Sequence, residues 1–156
     1  MSRRVVITGL GVVSSLGIGW QDFWAGLLEG KSGISPVSSF DTADQFTHKG
    51  GEVKQFKPEK YFDRGRIMEL SRASQMAVAA AMGAVKDAGL DLTSIDTSRV
   101  GCCVGTAAGD FNELEENHAG FLQRGPKAIS PFCVPKVIPN MPAGNITSST
   151  LASANV

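Results

Sequence analysis

The chain has 156 residues, and its 15 lysines and arginines balance 15 aspartates and glutamates. Zero formal charge excludes a global basic field for nucleic acid, so a charged partner must meet a local patch. Hydrophobic residues at 42% and charged residues at 19% exclude a disordered chain and fit one domain with one core.

In chain order, Val5–Ile7 is a short β-branched run before glycine and reads as a buried strand. Gly9 to Gly17 is rich in turn residues. Trp20 to Glu29 has helical spacing, with Trp20, Phe23, Trp24, Leu27 and Leu28 on one face and Gly30 as a stop. Residues 31–49 read as irregular, and Glu52–Val53 as a short strand. The clearest helix runs from about Ile67 to Ala88, around an alanine-rich centre, and ends at Gly89. Arg99 to Gly105 reads as a second buried strand that packs both Cys102 and Cys103. Phe111 to Gln123 reads as a polar helix with acids near its start. From Gly125 to Pro142 five prolines punctuate an apolar segment, which is expected to be extended and packed. The small polar residues from Asn145 to Val156 read as a frayed end. Strand and helix alternate, an α/β pattern.

Three cysteines, two of them adjacent, do not make a disulfide framework, and no CxxC supports a zinc site. No long apolar run follows the basic residues after Met1. Neither a signal peptide nor a membrane span is expected, and a reducing cytoplasm is the simplest compartment. Gly9-Leu-Gly11 lacks the third glycine of a dinucleotide fingerprint, since Ser14 stands there. Gly30-Lys31-Ser32 lacks the first glycine of a phosphate loop. No cofactor is expected. Cys133 lies between Phe132 and Val134 with no base near it in sequence. It reads as apolar lining, with a nucleophile as the alternative. His48 reads as solvated, and His118, on a polar helix, as exposed or at an interface. Arg64, Arg66 and Arg72 form one basic cluster and Arg124 with Lys127 another. Each is either a solvated face or a patch for an acidic partner.

Several segments, in order, resemble β-ketoacyl-acyl-carrier-protein synthases of the synthase I/II group. They are Arg4 to Gly17, Trp24 to Ile34-Ser, Phe40-Asp41, Ser71 to Gln75, and Val100-Gly to Gly105-Thr. Glu115-Glu-Asn-His118, Ile129-Ser-Pro-Phe132 and Ile138-Pro-Asn-Met-Pro-Ala-Gly-Asn145 complete the series. The resemblance implies the N-terminal half of a thiolase-like α/β fold, a mixed five-stranded sheet with helices, here incomplete. It implies homodimers that condense acyl groups with malonyl-acyl-carrier protein and release carbon dioxide. A cysteine nucleophile and two histidines do this in the family.

The pattern departs after Asn145, and the chain is expected to end at Val156 before the nucleophile. The single domain 1–156 then lacks that cysteine and both histidines, and none of its three cysteines maps to it. By resemblance, Ala108 lies at the gate of the acyl tunnel, where a small side chain leaves room for a longer chain, and Phe132 and Cys133 line the wall. Arg64, Arg66, Arg124 and Lys127 fall where the family meets its acidic carrier protein, and the segment Phe111 to Pro142 falls at the dimer interface. Half of such a fold would expose an apolar face and associate. A non-catalytic binding module, in the manner of chain-length factors, is the alternative.

Overall fold

The computed structural model describes residues 3–151. Its contacts gather into two compact units. The first draws on segments 3–57 and 82–90, the second on 58–81 and 91–151.

In the first unit the strand expected at Val5–Ile7 does not form. These residues join no ladder and are 94%, 65% and 84% exposed. A strand needs a neighbouring edge for its N–H and C=O groups, and the described residues supply none here. Gly9 then packs where no side chain fits: a Cβ would overlap the Ala84 carbonyl oxygen. Asp87 holds this approach, accepting from the Leu10 N–H at 2.9 Å and from the Trp20 indole Nε1 at 2.7 Å. Ser14 closes the next turn; its Oγ accepts the Leu16 and Gly17 N–H groups, and Val13 bridges Ile18.

Helix α1 is Trp20–Leu28. Gly30, at φ 65°, terminates it in the left-handed region that favours glycine. Of its apolar stripe Trp20 and Phe23 are half-buried, whereas Trp24, Leu27 and Leu28 are 55%, 45% and 72% exposed. Strands β1 (Ser35–Pro36) and β2 (Lys49–Gly50) pair antiparallel, Ser35 opposite Gly50 and Pro36 opposite Lys49. Glu52 and Val53 add no strand. Instead the Glu52 carboxylate accepts from the Ser38 N–H and hydroxyl and the Ser39 N–H, at 2.9, 3.0 and 2.9 Å, with the Lys54 ammonium at 3.2 Å. Hydrogen bonding from the Ser39 side chain, then from the Ser38 and Ser39 amides and the Ser38 hydroxyl, outweighs desolvation and lowers its pKa to about 2. Phe56 is buried in this unit.

In the second unit the helix expected from Ile67 to Ala88 is two helices, α2 (Arg64–Glu69) and α3 (Arg72–Asp87). Leu70 is extended, at φ −92° and ψ 136°. The Ser71 hydroxyl accepts the Ser74 N–H at 3.1 Å, restarting the helix as an N-cap does. The Gln75 side-chain amide donates to the Ile67 and Leu70 carbonyls, tying the broken end to the new one. Leu70, Ser71, Ser74, Gln75, Val78 and Ala79 are buried, so the small residues of α3 face its core. At its far end, within the first unit, Gly89 at φ 60° closes the helix while the Leu90 N–H reaches back to the Val85 carbonyl.

The second expected strand, Arg99 to Gly105, also forms no ladder. Cys102 is half-buried and Cys103 exposed rather than both packed in a sheet; the alternation is that of a strand, but no paired edge covers it. Helix α4 (Phe111–Arg124) starts at Asp110, whose carboxylate accepts the Glu113 N–H, and stops at Gly125, φ 78°. The proline-rich segment is not extended. It holds a 3-10 turn at Pro126–Ala128, α5 (Cys133–Val137) and α6 (Met141–Ile146). Pro126, Pro135 and Pro142 each sit within a first turn, where a missing N–H costs no helical bond. Nor is the polar end frayed throughout: Asn145 is buried, and Thr147–Leu151 continues as a π-helical turn. Residues 152–156 of that expected tail lie outside the described residues. No described helix is long and apolar enough to cross a membrane.

Candidate functional site

Helix α4 carries Glu113 and Asn117 one turn apart, on one face. The Asn117 side-chain amide donates to the Glu113 backbone carbonyl at 2.7 Å and to its carboxylate at 3.0 Å. Its oxygen accepts the Ser130 N–H at 2.6 Å. The other Glu113 carboxylate oxygen meets the Lys136 ammonium at 3.0 Å, with the two side chains only 16% and 17% exposed. One face of α4 therefore grips both ends of the 130–136 segment.

That segment carries two of the expected lining residues. Ser130 shapes it locally: its Oγ accepts the Phe132 N–H at 3.2 Å and its carbonyl the Cys133 N–H at 3.0 Å. Phe132 and Cys133 are half-buried. On another side the 105–109 loop presses against α5. A Cβ on Gly109 would collide with the Val137 carbonyl oxygen, so only glycine allows the contact. Ala108 precedes it, half-buried, and its carbonyl accepts from the Thr106 hydroxyl at 2.8 Å. The structure thus brings the loop of Ala108 against the helix that Cys133 begins. Among the described residues neither His118 nor a cysteine thiol makes a side-chain hydrogen bond, and no group of three or more His, Cys, Asp or Glu is placed to hold a metal.

The basic positions divide. Arg64, the first residue of α2, is exposed. Arg124 ends α4 and Lys127 lies in the turn after it, both exposed. Arg66 is different: its guanidinium donates to Glu69 at 2.9 Å, to the buried Asn145 side-chain oxygen at 3.1 Å and to the Ser148 hydroxyl at 3.2 Å. It lines an open hollow of about 460 Å³ together with Tyr61, Phe62, Asp63, Ser148 and Ser149. With Arg66 committed internally, the expected cluster is not a uniform charged face.

Sequence reasoning missed Asn117, Lys136 and Asn145. The i, i+4 spacing of Glu113 and Asn117 was visible, but their partners lie 13 to 23 residues away, and those of Asn145 lie 79 residues away.

Similarity to solved ketosynthases, over 96% of this chain for one of them, shows a thiolase-like fold, here in its N-terminal portion. A family model for the β-ketoacyl synthase N-terminal domain matches residues 2–153, and the chain belongs to that family. It is 39% identical over 142 residues, 91% of this chain, to 3-oxoacyl-[acyl-carrier-protein] synthase 2 of Synechocystis sp.. Among solved structures it is similar to the ishigamide ketosynthase/chain length factor, at 32% identity and TM-score 0.79, covering 96% of this chain and 37% of that one. A type II polyketide ketosynthase solved with its acyl-carrier protein shares the fold at TM-score 0.76 and 22% identity, over 94% of this chain and 40% of that one. The chain spans about a third of the length of the curated relatives it matches, 34% and 35% for two of them.

Proposed function

We propose that this chain is the N-terminal part of a β-ketoacyl-acyl-carrier-protein synthase. In that reaction an acyl group is carried as a cysteine thioester. Malonyl thioester loses carbon dioxide, and the electron pair left on its α-carbon attacks the acyl carbonyl. The new carbon–carbon bond expels the cysteine thiolate and leaves a 3-oxoacyl thioester on the carrier protein. The match to the family across residues 2–153 carries this reading.

Within it, Ala108, Phe132 and Cys133 line the acyl site; the packing of the 105–109 loop on α5 supports grouping them. Arg64, Arg124 and Lys127 attract the acidic carrier protein, and Arg66 orders the ground beneath. The complete protein works as a homodimer, to which α4 brings Phe111 and Leu122, 68% and 69% exposed. In this reading none of the three cysteines takes the part of the nucleophile, and neither histidine belongs to the catalytic pair.

Mass spectrometry of the protein after exposure to an acyl-carrier-protein thioester tests the assignment. The complete synthase should gain one acyl group, on a peptide beyond residue 156, and turn over malonyl-carrier protein to the 3-oxoacyl product. An adduct on Cys133 would move the nucleophile into this chain. Absence of both acylation and condensation in the complete protein would favour the non-catalytic, chain-length-factor reading.

A further inference from the structure

The α4 clamp acts on a segment whose backbone has little else to define it. Residues 125–142 hold five prolines and only short helical turns of three, five and six residues that reach into or across them. Such turns are too short to be stable alone. Their placement comes from the side chains that hold them, and three of these are identified. Asn117 takes the Ser130 N–H at 2.6 Å, at the start of the segment. Glu113 takes Lys136 at 3.0 Å, near its end. Asn117 also donates to Glu113, so the two grips are one network, and an amide oriented from both sides cannot rotate without breaking a bond. Phe132 and Cys133 lie between the two grips. Opposite, Gly109 meets Val137 too closely for any side chain, so the segment cannot settle toward the loop of Ala108 if α4 releases it.

We infer that Asn117 and the Glu113–Lys136 pair are positioning residues that set how much room Phe132 and Cys133 leave for an acyl chain, and hence which chain lengths are accepted. The inference rests on the reading of Ala108, Phe132 and Cys133 as acyl-lining residues. It adds that the selectivity of that site is held from α4, by residues that touch no acyl atom. A displaced wall changes long and short chains unequally, because a methylene that no longer fits is penalised while one that does not reach the wall is not.

The test compares Asn117→Ala, Lys136→Glu and the conservative Lys136→Arg in the complete synthase. The readout is the ratio of kcat/KM for myristoyl- over hexanoyl-carrier-protein thioester. Asn117→Ala and Lys136→Glu should shift this ratio about fivefold or more, mainly through KM, while Lys136→Arg, which keeps the ion pair, should stay within about twofold of the parent. A merely structural role would lower the rate for both substrates together and leave the ratio in place. If Asn117→Ala does not accumulate folded, the two Lys136 variants decide alone. A parent active on both thioesters whose folded Lys136→Glu variant keeps its ratio overturns the inference and leaves the proposed function standing. A parent inert toward every acyl thioester overturns both.

Discussion

Arg66 illustrates how far a residue's chemistry depends on its partners. Read by composition, it belongs to a basic run with Arg64 and Arg72. In the structure its guanidinium satisfies Asn145, which is only 7% exposed. Replacing Arg66 by methionine leaves that buried amide oxygen without its charged donor. Unfolding in urea should then show a loss of about 1–3 kcal/mol. Arg64, fully committed to solvent on the same helix, should behave oppositely. Arg64→Glu should leave stability within about 0.5 kcal/mol and weaken carrier-protein binding, most visibly at low salt. Equal destabilisation by both substitutions would mean that the Asn145 contact is not held in solution. The guanidinium–amide contact could not be read from sequence because 79 residues separate its ends. The charge of Arg66 could.

At the scale of elements, helices were legible and strands were not. The helix at Trp20 begins and ends close to where periodicity and a following glycine put it, and the helix at Phe111 close to where its acidic start put it. One error, the break at Leu70–Ser71, came from ranking alanine propensity above a serine that caps a second start. Another came from treating five prolines as five interruptions, when three of them occupy first turns. The β1–β2 ladder was invisible, being two residues long on each side. What holds the segment around it is Glu52, and this has a pH signature. Its pKa of about 2 in the folded chain lies below the ordinary value of 4.5. A depressed carboxylate contributes its stability above the ordinary value and loses it as pH falls through the folded one. The Ser38 and Ser39 amide resonances should therefore titrate near pH 2, and Glu52→Gln should abolish the transition. A midpoint near 4.5 would show that the serine contacts are not maintained.

Across the whole molecule, the exposed apolar residues outnumber the buried ones. Phe56, Leu70, Val78 and Ala79 are buried, whereas Val5, Ile7, Leu28, Phe111, Val134 and Leu122 are all more than two-thirds exposed or close to it. Exposed apolar surface on that scale favours association. The 156-residue chain purified alone should self-associate, with a sedimentation coefficient that rises with concentration. A compact, concentration-independent monomer with a cooperative melt would show that the described units satisfy themselves.

The sequence by itself determined helices α1 and α4, the alanine-rich body of α3, and the family. A helix closes its hydrogen bonds within four residues, and family motifs are local strings such as Glu115-Glu-Asn-His118. Tertiary structure decided everything that needs a distant partner. It left Val5–Ile7 and the segment expected as a strand from Arg99 to Gly105 without a ladder, since a strand is completed only by another edge. It bent the proline-rich segment into short turns held by Asn117, Glu113 and Lys136. It also turned Arg66 from a surface charge into the donor for Asn145. In each case the deciding energy lies in groups tens of residues apart in the chain, whose meeting no local pattern encodes.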